Sequence, residues 1–101
     1  MVETGTVPTL AALRARGEEL RRIAAARGAR GLRVFGSVAR GEARADSDVD
    51  FLVEMEPDRT VLDLSELILD LQEALGCKVD VVEIRRSSPL AERIEREAIP
   101  V

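Results

Sequence analysis

The chain has no histidine, tryptophan, tyrosine or asparagine, one cysteine, and two phenylalanines in 101 residues. Each shortage excludes something. Without histidine, and with Cys77 alone, the usual zinc set cannot be assembled and no internal disulfide can form. A reducing compartment fits that composition. With only Phe35 and Phe51, the aromatic platforms on which single strands stack are missing. The net charge is −4, whereas a sequence-independent nucleic-acid binder needs a basic footprint. Strong nucleic-acid binding by the chain itself is therefore not expected. No apolar run approaches the roughly 18 residues that span a bilayer. The opening MVETGTVPTLAALRAR lacks the charged n-region and apolar h-region of a secretory leader. A cytoplasmic domain with no membrane association is expected.

What is present is 46% hydrophobic and 34% charged, enough for one folded domain over residues 1–101 with a core of Leu, Ile, Val and Ala. Pro8-Thr9 opens a first helix with Thr9 as N-cap. Leu10, Leu13, Gly17, Leu20 and Ala24 then recur at spacings of three and four, reading as one helix that stops at Gly28. Leu32 to Phe35 reads as a short strand ended by Gly36-Ser37. A helical turn over 37–40 and a polar loop, GEARADS, lead to a second strand from Asp48 to Glu54.

Thr60 to Asp63 has capping-box form. It precedes a stripe of Leu64, Leu67, Ile68, Leu71 and Leu75, closed by Gly76. Lys78 to Ile84 is a third strand, and Ser88-Pro89 begins a last helix through Glu97. The order α-β-(α)-β-α-β-α predicts an α/β (α+β) fold, a small mixed sheet of about three strands flanked by helices. The helix joining the second and third strands requires a parallel crossover. Parallel neighbours start at one edge, so Asp48, Asp50 and Asp80 are expected to meet there.

That meeting carries the chemistry. Side chains two apart on a strand share a face, so Asp48 and Asp50 point one way. Adjacent carboxylates resist joint ionisation unless a cation lies between them. Oxygen ligands without His or Cys select a hard ion, and Mg²⁺ takes one or two carboxylates plus substrate phosphates. Asp80 sits among Val79, Val81, Val82 and Ile84, where an unpaired carboxylate would be costly. Gly36-Ser37 lies where a strand hands over to a helical turn, a place whose N–H groups bind phosphate. Two metal ions and a phosphate cradle are equipment for in-line displacement at phosphorus.

Gly36-Ser37, ten residues, then Asp48-x-Asp50 resembles the G-S-x10-D-x-D signature of the DNA polymerase beta-like nucleotidyltransferase superfamily. The string FGSVARGEARADSDVDFLVE, with Asp80 in VDVVE, is similar to the minimal nucleotidyltransferase (MNT) branch, over residues 32–84. The resemblance implies that Asp48 and Asp50 bind both metals, that Asp80 completes one of them and helps deprotonate the acceptor, and that Gly36 and Ser37 bind phosphate. It implies ATP as substrate, Mg²⁺ as cofactor, and a HEPN-type helical partner protein, MNT and HEPN forming an antitoxin–toxin pair in which AMP passes to a tyrosine of the partner. No counterpart of the helical acceptor-binding domain of larger relatives is expected within residues 1–101.

Blander readings stand beside these. A calcium loop fits Asp46, Asp48 and Asp50 but fails where Gly is required, at Phe51, and where Glu is required, at Pro57. Arg40 is a candidate for holding a triphosphate, with an ion pair to Glu42 as the alternative. Ser47 is a candidate for touching the nucleotide, with a loop-orienting role as the alternative. Arg85 and Arg86 face either phosphate, a partner or solvent. As a whole, the alternatives to protein modification are an antitoxin acting by contact alone and nucleotidyl transfer to a small molecule.

Overall fold

The computed structural model describes residues 7–84 and 89–101, apart from the side chain of Leu90. In chain order the elements are α1 (Leu10–Ala15), α2 (Gly17–Ala26), β1 (Ala29–Phe35), α3 (Gly36–Arg40), β2 (Val49–Met55), α4 (Val61–Leu75), β3 (Val79–Glu83), α5 (Pro89–Glu97) and β4 (Ile99–Pro100). The strands form one mixed sheet in the order β3-β2-β1-β4. As the crossover requires, β2 and β3 run parallel, while β1 is antiparallel to β2 and to β4.

The α/β expectation holds, with differences that have physical causes. The first apolar stripe belongs to two helices broken at Arg16, whose φ −106° and ψ 14° leave the helical region. Its guanidinium is drawn away, to the Ala74 carbonyl on α4 at 2.8 Å. Gly17 is buried with the backbone of Val101 in the place of a side chain: a Cβ there would lie 3.0 Å from the Val101 carbonyl carbon. Periodicity cannot see so short a break, because the stripe resumes in phase.

The sheet has a fourth strand that sequence reading missed. β4 is two residues long and contains Pro100, which suits an edge strand because proline cannot donate to a second neighbour. β1 also starts three residues before Leu32. Its register with β2 shifts between Arg30 and Arg33, and Gly31 supplies the positive φ of 63° within that irregularity. Elsewhere the predicted signals act as expected. The Thr9 hydroxyl accepts from the Ala12 N–H at 3.1 Å, and the Asp63 carboxylate accepts from the Thr60 N–H at 2.9 Å. The last helix begins at Pro89; its predicted cap, Ser88, and the two arginines 85 and 86 lie outside the described residues.

One face of the sheet carries the core. Leu32 and Val34 of β1, Val49, Phe51 and Val53 of β2, and Val79 and Val81 of β3 pack against Leu20 and Ala24 of α2 and Leu67 and Leu71 of α4. Arg27 clamps the two helices from outside through Glu66 and Asp70. No helix among the described residues is long and apolar enough to cross a membrane.

Candidate active site

Once the core takes Val49, Phe51 and Val53, the pleat turns the residues between them to the opposite face. Asp50 is one of these. The parallel register sets it directly beside Asp80, on strands about 4.8 Å apart. The antiparallel register sets it opposite Phe35, the last residue of β1. β1 therefore ends where β2 begins, and the chain leaves it as Gly36-Ser37 at the edge where the carboxylates stand. Asp48 is exposed, just ahead of β2. The residues between Ser37 and Asp48 form α3 and a loop that return the chain to that edge.

Gly36 is fixed here by two demands. Its φ is +74°, and a Cβ on it would run into the Asp50 carboxylate, with Asp50 Cγ at 3.3 Å. Only glycine leaves open the space in front of that carboxylate. Asp50 is half-buried, and its carboxyl is held above the usual carboxylate range, first by burial and then by the charges of Asp80 and Asp48; Arg40 opposes the shift and Glu97 adds to it. Cys77 is half-buried, and its thiol is pushed up by burial and by the charge of Asp48.

Asp80 corrects one expectation. β3 is an edge strand, and Asp80 is exposed rather than walled in by its Val neighbours. Its carboxylate accepts from the Val81 N–H at 3.0 Å. The cost of a buried unpaired charge therefore does not arise at Asp80; the electrostatic cost falls on Asp50. The described residues contain no ready-made cage of three or more carboxylates and thiolates around a metal position. The donors that do meet would suit Mg²⁺: they are all carboxylate oxygens, and the missing Cβ at Gly36 keeps the approach to one of them free of a side chain.

Arg40 and Ser47 have partners within the protein. Arg40 Nε donates to Glu42 at 3.2 Å, and its Nη1 donates to Glu97 of α5. The Glu97 pairing has no signal in the sequence, since 57 positions separate the two residues. Ser47 closes the loop: its hydroxyl accepts from the Arg44 N–H at 2.7 Å, and its own N–H donates to the Arg44 carbonyl at 3.0 Å. Arg40 also borders a cleft of about 280 Å³ beside α3, lined with it by Pro8, Thr9, Leu10, Val38 and Ala39.

Residues 18–101 match the nucleotidyltransferase domain family. The protein adenylyltransferase MntA of Thermococcus cleftensis is 43% identical over 75 residues, or 73% of this chain and 76% of that protein. A solved structure described as a minimal nucleotidyltransferase is similar with a TM-score of 0.81 and 52% identity, covering 93% of this chain and 97% of the other. A chain of a toxin–antitoxin structure with AMP-PNP is similar in fold, with a TM-score of 0.66 and 22% identity, covering 77% of this chain and 64% of the other. The fold is thus shared along nearly the whole length of a related chain, and this protein belongs to the nucleotidyltransferase domain family, in its minimal nucleotidyltransferase branch.

Proposed function

We propose that this domain transfers AMP from ATP to a hydroxyl on a partner protein, as the antitoxin of a toxin–antitoxin pair, with Mg²⁺ as cofactor. The observation that carries the reading is the placement of Asp50 beside Asp80 with Gly36 against its carboxylate. The relative from Thermococcus cleftensis, named as a protein adenylyltransferase, supports the reaction class. The toxin–antitoxin neighbour with AMP-PNP supports the nucleotide and the setting.

Asp48, Asp50 and Asp80 are the residues to hold Mg²⁺, as one ion or two, which when bound would neutralise phosphate charge. Gly36 and Ser37 offer the start of α3 to the β- and γ-phosphates. The acceptor oxygen bonds to the α-phosphorus, the bond to the bridging oxygen breaks, and pyrophosphate leaves. Asp80, exposed at the edge strand, is placed to take the acceptor proton. Ser47 contributes by closing the loop that delivers Asp48.

Asp48 and Asp80 are exposed, so water reaches the carboxylates and nothing in the described residues holds an acceptor in line. A protein that covers this edge with its own hydroxyl supplies both needs, and a HEPN-type helical protein is the partner expected from the family resemblance. The test is co-expression with the protein encoded beside this chain, followed by ATP and Mg²⁺ and intact mass spectrometry. The partner should gain mass in steps of one AMP, and not with Asp48→Asn. A tight complex that stays unmodified would favour the contact-only antitoxin, against which the converging carboxylates argue. The absence of any complex would point to a small-molecule acceptor.

A further inference from the structure

Glu97 sits outside the motif that defines the site, yet it reaches the site through Arg40. Arg40 lies four positions after Gly36 and three after Ser37 on α3, so it shares a helix face with each of them. That face meets the Asp50 carboxylate at Gly36. The Arg40 guanidinium is therefore on the side of the helix where the phosphates are proposed to bind, within electrostatic reach of Asp50. In the structure it is already engaged, by Glu42 from the turn after α3 and by Glu97 from the last turn of α5.

We propose that Glu97 is a positioning residue that competes with the nucleotide for Arg40, so that ATP binding requires Arg40 to be handed from Glu97 to the triphosphate. This inference rests on the nucleotide reading given above. The exchange is physically easy in one direction. The Arg40 and Glu97 side chains retain 47% and 34% of their exposure, and ion pairs so open to water contribute little to stability. A triphosphate offers several charged oxygens in the geometry a guanidinium fork prefers, and wins the exchange. Arg40 uses its Nε and one Nη1 hydrogen on the two glutamates, which leaves donors of its five for a first phosphate contact before Glu97 lets go. Glu42 is a weaker competitor, being 65% exposed and bonded at the longer distance of 3.2 Å.

The test is a double-mutant cycle read by calorimetry, with AMP-PNP and Mg²⁺ titrated into the full chain. Glu97→Gln should tighten binding about 3- to 5-fold, the scale of one exchanged surface pair. In an Arg40→Gln background the same change should have no more than about a 1.5-fold effect, because the two residues act as a unit. Glu97→Asp, which restores the charge, should return affinity toward the wild type. Equal tightening in both backgrounds would mean simple repulsion of phosphate by Glu97 and would overturn the proposal. Weaker or unchanged binding by Glu97→Gln, with a lowered thermal midpoint, would make the pair a plain tie between α3 and α5 and would also overturn it. If the wild type binds no AMP-PNP at all, the nucleotide reading itself fails; binding without coupling to Arg40 removes only the role of Glu97.

Discussion

The two faces of β2 are made from alternate residues of one seven-residue strand, and they do different work. Val49, Phe51, Val53 and Met55 point into the core and are nearly or wholly without solvent contact. Asp50, Leu52 and Glu54 point the other way, and their exposure grades from buried Leu52 through half-buried Asp50 to open Glu54. The apolar face fixes the register, since a slip of one residue would send Asp50 and Glu54 into the core and turn Val49, Phe51 and Val53 out of it. The acidic face inherits its geometry from that choice. Asp50 meets Asp80 because Phe51 pairs with Val81 and Val49 with Val79, not because two carboxylates attract each other.

The sharpest challenge to that division is Phe51→Ala. Phe51 is fully buried, and its truncation should cost about 3–5 kcal/mol in urea unfolding, with nucleotide affinity preserved in whatever fraction stays folded. A cost under about 1 kcal/mol would mean the apolar face does not hold the register. Asp50→Asn is the counterpart on the other face. It should slow AMP transfer about 100- to 1,000-fold, or ~3–4 kcal/mol on the barrier, without loss of stability. Retention of more than about a third of the activity would remove Asp50 from the site.

Much of this was legible in the residues, for reasons that mark where legibility stops. The alternation in DVDFLVE and the α4 stripe are burial patterns, and burial chose the register that brought Asp50 and Asp80 together. The candidate site was readable as a placement, because two separated motifs had to meet at one sheet edge. What stayed hidden depends on the path of the backbone. The break at Arg16 follows from a carbonyl on α4 and from the Val101 backbone at Gly17, neither of them near in sequence. β4 is too short and too proline-bearing to show a period. Asp80 was expected to be walled in by valines, but its strand lies at the sheet edge, so the desolvation cost rests on Asp50 instead. The Arg40–Glu97 pair joins residues that no spacing rule relates.

A smaller effect separates backbone from charge at the same edge. Gly36→Ala forces a side chain onto a φ of +74° and into the space in front of Asp50. The left-handed conformation alone costs about 1–2 kcal/mol. Thermal unfolding should register that penalty, and AMP-PNP affinity should fall by about tenfold or more, since Cβ would occupy the proposed phosphate approach. An affinity unchanged beside a lowered midpoint would show that the cradle lies elsewhere on α3.

The smallest effect expected is also the one that isolates electrostatics. Burial, Asp80 and Asp48 hold the Asp50 carboxyl above the usual carboxylate range, so the folded protein binds that proton more tightly than the unfolded chain does. Linkage then fixes the sign. Where the native state holds more protons than the unfolded state, stability falls as pH rises through the interval between the two pKa values. At neutral pH and without metal, the ionised Asp50 is therefore a strain on the fold, and Asp50→Asn should melt higher than the wild type in EDTA. Below about pH 3.5, where the carboxyl is protonated even in the unfolded chain, the advantage should vanish. Adding Mg²⁺ at neutral pH should raise the wild-type midpoint and leave the variant nearly unmoved, because only the carboxylate gains from a cation. An advantage of equal size at both pH values would trace to packing rather than charge, and the acidic face of β2 would then owe none of its cost to the carboxylates gathered on it.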